Sequence, residues 1–256
     1  MVVNIQQQKK IFPEEQKIFF DIIYEDKYLL IINKPENLVM HHGHGNYTGT
    51  LLDILLEKYD FLKYIPRSGI VHRLDKNTSG LLIIAKTLES YFILKKDLKN
   101  RKITREYEAI VHGLIFFDNT IIEKINRHPV HRIKMCVSKQ GRNAITHYKV
   151  IKRLKFYTHI KVILETGRTH QIRVHMDYIH HPIVGDSLYK GSNGIYKKII
   201  SKNSKKYNFY FYDFHRQALH AKKISLLHPI SKNKMKWEIS LPKDLMNLIY
   251  NLKKIN

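Results

Sequence analysis

Apolar residues in this chain fall into short runs separated by polar turns, and the runs differ in their spacing. Residues 81–85 are apolar without interruption, which predicts a strand buried on both faces after turn residues at 77–80. Two β-rich runs at residues 19–24 and 28–33 are split by polar residues and predict two strands joined by a turn. Further strands are predicted at residues 106–111, 144–151 and 159–165.

Other segments carry helical spacing. Helices are predicted at residues 51–59, 88–98 and 241–252. The last of these has Pro242 and Asp244 in its first turn, which is typical of a helix start. Strands and helices follow one another without regular βαβ alternation. This order predicts an α+β fold with a mixed, largely antiparallel sheet flanked by helices and loops.

A further helix is predicted after Gly167. Thr169 is placed to cap it, and Ile172 and Met176 begin an apolar stripe that ends before Pro182. Basic residues cluster near the start of this helix: they are Arg168, Arg173 and His175. Guanidiniums and backbone N–H groups at such a position can face an anion together. The alternative is a solvated basic face.

A polar pair stands directly before the buried run. Arg73 and Asp75 are two residues apart, so they share one face of an extended segment at the edge of the core. One alternative is that Asp75 only bonds the backbone of a turn, with Arg73 as its solvated neighbour. A kinase catalytic loop is excluded, because Leu74 intervenes and the sequence contains neither a kinase glycine-rich loop nor Asp-Phe-Gly.

The charge of the chain indicates the kind of partner. The 256 residues include 45 Lys and Arg against 22 Asp and Glu, which gives a net charge of +23 and favours a polyanion. Basic surface is predicted at residues 127–139, 149–155 and 197–206. Residues 195–217 are predicted to form an insertion that ends in an exposed basic loop. With 43% hydrophobic residues, the chain can also build a sizeable core.

Cysteine and the N-terminal region bear on the location of the protein. Cys136 is the only cysteine, so an internal disulfide is excluded. The sequence has neither the apolar stretch of a signal peptide nor a run near the roughly 20 apolar residues of a membrane helix. We expect a cytoplasmic protein without membrane contact. Residues 1–20 are expected to be a tail or remnant linker, and residues 21–256 a single domain.

Glycines and histidines between residues 41 and 50 suggest two other kinds of site. The glycine spacing is GxGxxxG, without the GK[ST] of a phosphate-binding loop. His41, His42 and His44 lack a carboxylate or a distant His/Cys partner with metal-ligand spacing. Turn-forming glycines with solvated histidines are therefore the preferred interpretation, and no metal site is predicted.

Five ordered motifs support a specific resemblance. They are HRLDKNTSG at 72–80, REYEA at 105–109, ETGRTHQIRVHM at 165–176, HPIVGDSLY at 181–189 and RQALHA at 216–221. In order and spacing they resemble the RluA family of RNA pseudouridine synthases, most of all its D-type members for large-subunit ribosomal RNA. The chain departs from that type in one respect. The D-type carries an N-terminal S4-like RNA-binding module, and residues 1–20 are too short to form one.

The resemblance implies a role for each of five residues. Asp75 would be the catalytic carboxylate, which attacks the sugar or the base or removes a sugar proton. Arg173 would pair with Asp75 by two-point contact and keep it ionised in a dry site. Tyr107 would stack on the target uracil, and Leu219 would form an apolar wall of the pocket. Arg73 would enter the space that the flipped nucleotide leaves.

The resemblance also implies the reaction and the partner. The expected activity is isomerisation of specific uridines to pseudouridine in large-subunit (23S) ribosomal RNA, by a monomer that binds the RNA or the large-subunit particle. Substrate and product are isomers, so the reaction needs no cofactor and no metal. One alternative is a synthase for tRNA or another ribosomal RNA site. Another is a non-catalytic RNA-binding ribosome-assembly protein, although a carboxylate such as Asp75 would repel phosphate.

Overall fold

The computed structural model describes residues 20–43, 45–190 and 214–254. The predicted N-terminal tail therefore lies outside the described residues, except for residue 20. His44, the basic loop at 197–206 and most of the predicted insertion at 195–217 also lie outside them.

Strands are the most numerous elements of the described fold. They are β1 Asp21–Glu25, β2 Leu29–Lys34, β3 Ser79–Ala85, β4 Thr104–His112, β5 Asn119–Ile122, β6 Ile125–Arg127, β7 Met135–Val137, β8 Ile145–Leu154, β9 Tyr157–Leu164, β10 Leu219–Leu227 and β11 Lys234–Glu238. The α-helices are α1 Leu51–Lys58, α2 Leu88–Lys99, α3 Gln171–Tyr178 and α4 Lys243–Lys253, and two short 3₁₀ segments are Asp60–Tyr64 and Pro66–Gly69.

One large sheet organises these elements. Its order is β1-β2-β3-β10-β4-β9-β8-β5, and β11 pairs with the C-terminal half of β10. Strands β6 and β7 form a separate two-stranded ribbon. The β3–β10 contact is parallel, and the other pairings of the described strands are antiparallel. The predicted α+β fold with a mixed, largely antiparallel sheet is confirmed.

The apolar pattern explains where the core lies. Every residue of β3 is buried, because β3 pairs with β2 and β10 inside the sheet and both of its faces are covered. In contrast, β9 alternates half-buried and buried positions along its length. A strand with one face on the core and the other nearer solvent gives this period of two.

Local capping explains the first two helices. Thr50 caps α1 and Thr87 caps α2, and each helix returns a bond from its third residue, Asp53 and Ser90 respectively. Such capping boxes satisfy backbone N–H groups that a helix start leaves unpaired. None of the helices in the described ranges is both long and apolar enough to cross a membrane.

Some predicted details are wrong. The predicted turn at 77–80 lies earlier in the structure: the N–H of Thr78 donates to the carbonyl of Asp75, and β3 begins at Ser79. Helix α3 begins after His170, which has a left-handed φ of 55° and gives no side-chain cap, so Thr169 is not its cap. Instead, the side chain of Gln171 accepts a bond from the N–H of Arg168.

Close packing between β3 and β10 depends on Gly80. This residue has a φ of 116°, and a Cβ added to it would lie 2.3 Å from the carbonyl oxygen of Ala221. A side chain there would separate the two strands. The glycine therefore lets β10 run beside the strand that follows Asp75, and Leu219 at the start of β10 reaches the same region.

Candidate active site

A cleft of about 890 Å³ opens beside the N-terminal end of β3. Nine of its lining residues are Lys or Arg and two are acidic. The basic ones are Arg67, Arg73, Lys95, Lys96, Lys99, Arg101, Arg105, Arg168 and Arg173, and the acidic ones are Asp75 and Glu165. This excess of positive charge concentrates a polyanionic ligand at the cleft.

All five residues predicted for the site line this cleft: Arg73, Asp75, Tyr107, Arg173 and Leu219. Residues 98 positions apart meet there, because Nη1 of Arg173 donates to Oδ2 of Asp75 at 3.0 Å. The Asp75 side chain is 14% exposed and that of Arg173 is 8% exposed. The carboxylate thus keeps limited access to the cleft and has a cation at one oxygen.

The backbone around Asp75 is held from several sides. Leu74 is buried in the core and anchors the segment. The carbonyl of Asp75 accepts the N–H of Thr78 and closes a turn. The carbonyl of Lys76 accepts a bond at 3.1 Å from Nζ of Lys34, a side chain with no exposed surface. These contacts fix the carboxylate relative to the sheet.

Arg173 pairs with a second carboxylate that the sequence did not predict. Its Nε and Nη2 donate to Oδ2 and Oδ1 of Asp186 at 2.6 and 2.9 Å. The two-point contact predicted for Asp75 is therefore made with Asp186. Asp75 accepts one hydrogen bond from Arg173. Burial acts to lower the pKa of Arg173, but the bonds and charge of Asp186, followed by Asp75, outweigh it and raise the pKa.

His170 also faces Asp75, from the residue before α3. Its Nε2 lies 3.9 Å from Oδ1 of Asp75, and its Nδ1 lies 2.9 Å from the hydroxyl of Tyr189. The N–H of Met135 also donates to that hydroxyl. Burial lowers the pKa of His170 and raises that of Tyr189 to about 12. The ring is therefore neutral at physiological pH.

An aromatic ring and an apolar side chain stand beside the carboxylate. Tyr107 lies on β4 and is 4% exposed, and Leu219 on the adjacent β10 is exposed to the same small extent. Burial raises the pKa of Tyr107, and the charge of Asp75 adds to this effect although Arg105 opposes it. The Tyr107 hydroxyl therefore stays protonated. Arg73, by contrast, is exposed.

Three other predictions from the sequence have mixed outcomes. Arg168 lines the cleft and donates from Nε to the carbonyl of Asn143. His175, predicted near the same helix start, does not line the cleft: this side chain is fully buried and bonds to Thr146. The predicted loop histidines contact different partners, His41 with Arg67 and His42 with Asp53.

Comparison with known sequences identifies relatives over nearly the whole chain. The family model described as RNA pseudouridylate synthase matches residues 28–178. A ribosomal large subunit pseudouridine synthase D from Buchnera aphidicola (subspecies Acyrthosiphon pisum) is 52% identical over 93% of this chain and 75% of the relative. The Escherichia coli K12 protein of the same name is 44% identical over 97% of this chain and 75% of the relative.

Solved structures agree with the fold. Human RNA pseudouridylate synthase domain containing 4 superposes with a TM-score of 0.67 at 22% identity, covering 91% of this chain and 92% of that one. Human RNA pseudouridylate synthase domain containing 1 gives 0.64 at 24% identity, covering 88% and 84%. These similarities confirm the expected fold. The matched family model and the relatives above establish that the chain belongs to the RluA-type RNA pseudouridylate synthase family.

Proposed function

We propose that this chain isomerises specific uridines to pseudouridine in large-subunit ribosomal RNA, because its relatives are named ribosomal large subunit pseudouridine synthases. The observation that carries the proposal is the Asp75–Arg173 pair inside a cleft lined by nine Lys and Arg residues. A polyanion is drawn to such a cleft, and the pair supplies the carboxylate that the family chemistry uses. The proposed partner is ribosomal RNA, free or within the large-subunit particle, in the cytoplasm.

Asp75 is the proposed catalytic carboxylate. The reaction breaks the bond between C1′ and the ring nitrogen N1, turns the base and forms a bond between C1′ and C5, and the C5 proton is then lost to restore the ring. Asp75 acts in the first stage, by attack on the sugar or base or by removal of a sugar proton. In each route it works as an anion, and the adjacent Arg173 stabilises that charge.

The remaining proposed roles concern the base. Tyr107 offers a ring on which the uracil stacks, and Leu219 closes the pocket with an apolar wall. A uracil in a stem or a stacked loop reaches this pocket only when it is flipped out, which costs a few kcal/mol. The exposed Arg73, two residues from Asp75, is proposed to fill the vacated space and offset that cost.

A role in RNA binding alone accounts for the site less well. The Asp75 carboxylate lies among cationic side chains, where it weakens the attraction for phosphate. A protein that only bound RNA would gain affinity by losing this charge. The carboxylate is therefore better explained by chemistry than by binding.

The test compares wild-type protein with Asp75→Asn on transcripts of large-subunit ribosomal RNA and of tRNA, with pseudouridine mapped at nucleotide resolution. We expect product in the ribosomal transcript with the wild type and none with Asp75→Asn. RNA affinity should change by only a few fold, because the substitution is nearly isosteric. The matched control is Asp60→Asn, whose carboxylate is 77% exposed and pairs with Lys63 outside the cleft lining. It should retain full turnover.

Two outcomes would refute different parts of the proposal. Product in tRNA but not in the ribosomal transcript would refute the substrate. Turnover by folded Asp75→Asn protein would refute the role of Asp75.

A further inference from the structure

Arg105 is a buried cation that lacks a matching anion in the described part of the chain. The residue is 6% exposed, and its Nε has no hydrogen-bond partner there. Its one side-chain bond to a described residue is long, from Nη2 to the carbonyl of Thr166 at 3.4 Å. Arg105 takes part in no ion pair among the described residues. A buried charge without compensation is costly, so a group of this kind calls for an explanation.

The guanidinium lies next to the proposed uracil site. Arg105 and Tyr107 are two residues apart on β4, so they share a face about 7 Å apart along the strand. Both line the same cleft as Asp75. A Cβ added to Gly167 would lie 2.8 Å from Nη1 of Arg105. The absence of a side chain at Gly167 thus leaves the guanidinium room at the cleft wall.

His72 supplies a second donor without a partner. Its Nε2 accepts the N–H of Ile83, so the proton of the neutral ring is on Nδ1. Burial, together with the charges of Arg105 and Lys95, lowers the pKa of His72 to about 3, so the ring is neutral at physiological pH. Nδ1 is buried and has no partner among the described residues, and His72 also lines the cleft.

The charges near the Arg105 guanidinium and His72 Nδ1 indicate that an anionic ligand would fit these two donors. Both acidic residues of the cleft lining are engaged elsewhere: Asp75 is bonded to Arg173, and Glu165 is paired with Arg101 and His147. A water molecule could accept from either donor, but it would leave the charge of Arg105 uncompensated. Phosphate oxygens accept several hydrogen bonds and also neutralise a guanidinium.

We propose that Arg105, assisted by His72, binds one phosphodiester of the RNA strand adjacent to the target uridine. The inference rests on the proposed function, in which Tyr107 and Asp75 hold the base and sugar of that uridine. Arg105 is two residues from Tyr107 on β4, so the bound phosphate would lie close to the stacked uracil. This contact would fix the position of the RNA strand along the cleft. Binding of this phosphate contributes affinity without reading the sequence.

The experiment replaces phosphates one at a time with neutral methylphosphonate around the target uridine, in a short RNA that the wild-type enzyme modifies. Affinity is measured for wild type, Arg105→Gln and Arg142→Gln. The matched control, Arg142, is an exposed arginine outside both the cleft lining and the predicted basic surfaces. With wild type and with Arg142→Gln, the replacement at one position adjacent to the uridine should lower affinity about 10- to 100-fold. In Arg105→Gln, the same replacement should change affinity less than about twofold, since the contact is already lost.

Thermal unfolding without RNA provides the second readout. Removal of an uncompensated buried charge should leave the Tm of Arg105→Gln equal to or above that of wild type. The proposal would be overturned if the wild-type protein bound every methylphosphonate RNA with unchanged affinity. It would also be overturned if Arg105→Gln lost as much affinity as wild type at the sensitive position. A large fall in Tm with an unchanged replacement pattern would show a structural role instead. The unsubstituted RNA tests the proposed function separately, because its modification does not depend on which phosphate is bound.

Discussion

Replacement of Asp186 by Asn is expected to damage both stability and catalysis. The Asp186 side chain has no exposed surface, and it accepts two bonds from Arg173 and two more from the N–H groups of Leu188 and Tyr189. Asn has the same shape but lacks the charge, and its NH₂ group must face at least one of these donors. The substitution therefore leaves the Arg173 cation without its main counter-ion and creates a donor–donor contact.

The magnitude follows from the burial of the pair. Loss of one partner of a buried ion pair costs about 3–5 kcal/mol, because the other charge stays buried. We expect the free energy of unfolding to fall by about that amount. Arg173 also loses the contact that sets its orientation toward Asp75, and a displacement of about 1 Å at a reacting group can lower a rate about 100-fold. The expected loss of kcat for Asp186→Asn is therefore about 100-fold.

Urea denaturation and single-turnover kinetics measure the two effects. Asp244→Asn is the matched control, because Asp244 also makes a two-point contact, with Nε and Nη2 of Arg216. The Asp244 side chain is 32% exposed, and Arg216 also donates to the backbone carbonyls of Asn77, Gln217 and Leu219, so its guanidinium keeps other acceptors and the loss of stability should be smaller. Unchanged turnover in Asp186→Asn, with stability within about 1 kcal/mol of wild type, would refute the orienting role of Asp186.

Three further outcomes are expected. Arg73→Ala should slow turnover on structured RNA much more than on a flexible single strand, where base flipping is cheap, and equal losses on both RNAs would refute the insertion role. Tyr107→Phe keeps the stacking face and should bind RNA within a few fold of wild type, whereas Tyr107→Ala should lose about 1–3 kcal/mol of affinity; equal losses in both variants would assign binding to the hydroxyl. Burial lowers the pKa of His72 to about 3 and those of His112 and His220 to about 4. Unfolded histidines titrate near 6.5, so the unfolded state binds more protons below that pH, and the free energy of unfolding should fall as pH is lowered from about 6.5 to 4. Urea midpoints that stay constant over this range would contradict neutral buried rings.

The sequence predicted those elements in which the spacing of apolar residues follows the burial pattern of a single strand or helix. The uninterrupted apolar run became β3, and helical spacing placed α1 and α2 within one residue of their observed ends. Strand β10 was missed because its pattern changes along its length. It is buried at three successive residues beside β3 and β4, and then it carries two lysines. A strand with different neighbours in its two halves gives no single period.

Asp186 was missed for a different reason. In the sequence it follows Gly185, where an aspartate is typical of a turn, and its partner Arg173 stands 13 residues earlier on a helix. Only the tertiary fold brings the two side chains together. A usable signal was present, since Asp186 follows the apolar residues Ile183 and Val184, and a carboxylate within a buried segment requires a cation.

Arg173 makes two hydrogen bonds to Asp186 and one to Asp75, and this difference is consistent with a reactive role for Asp75. Asp186 accepts bonds from two N–H groups of the guanidinium, and its side chain is fully buried outside the cleft lining. Asp75 receives one bond, at Oδ2, and its Oδ1 lies 3.9 Å from His170 Nε2, which is beyond hydrogen-bond distance. The two-point contact predicted for Asp75 would have stabilised both of its oxygens before the reaction. Such ground-state stabilisation raises the barrier unless it increases in the transition state. The observed arrangement therefore gives Asp75 one contact with the guanidinium, while the buried Asp186 holds the arginine in place through two.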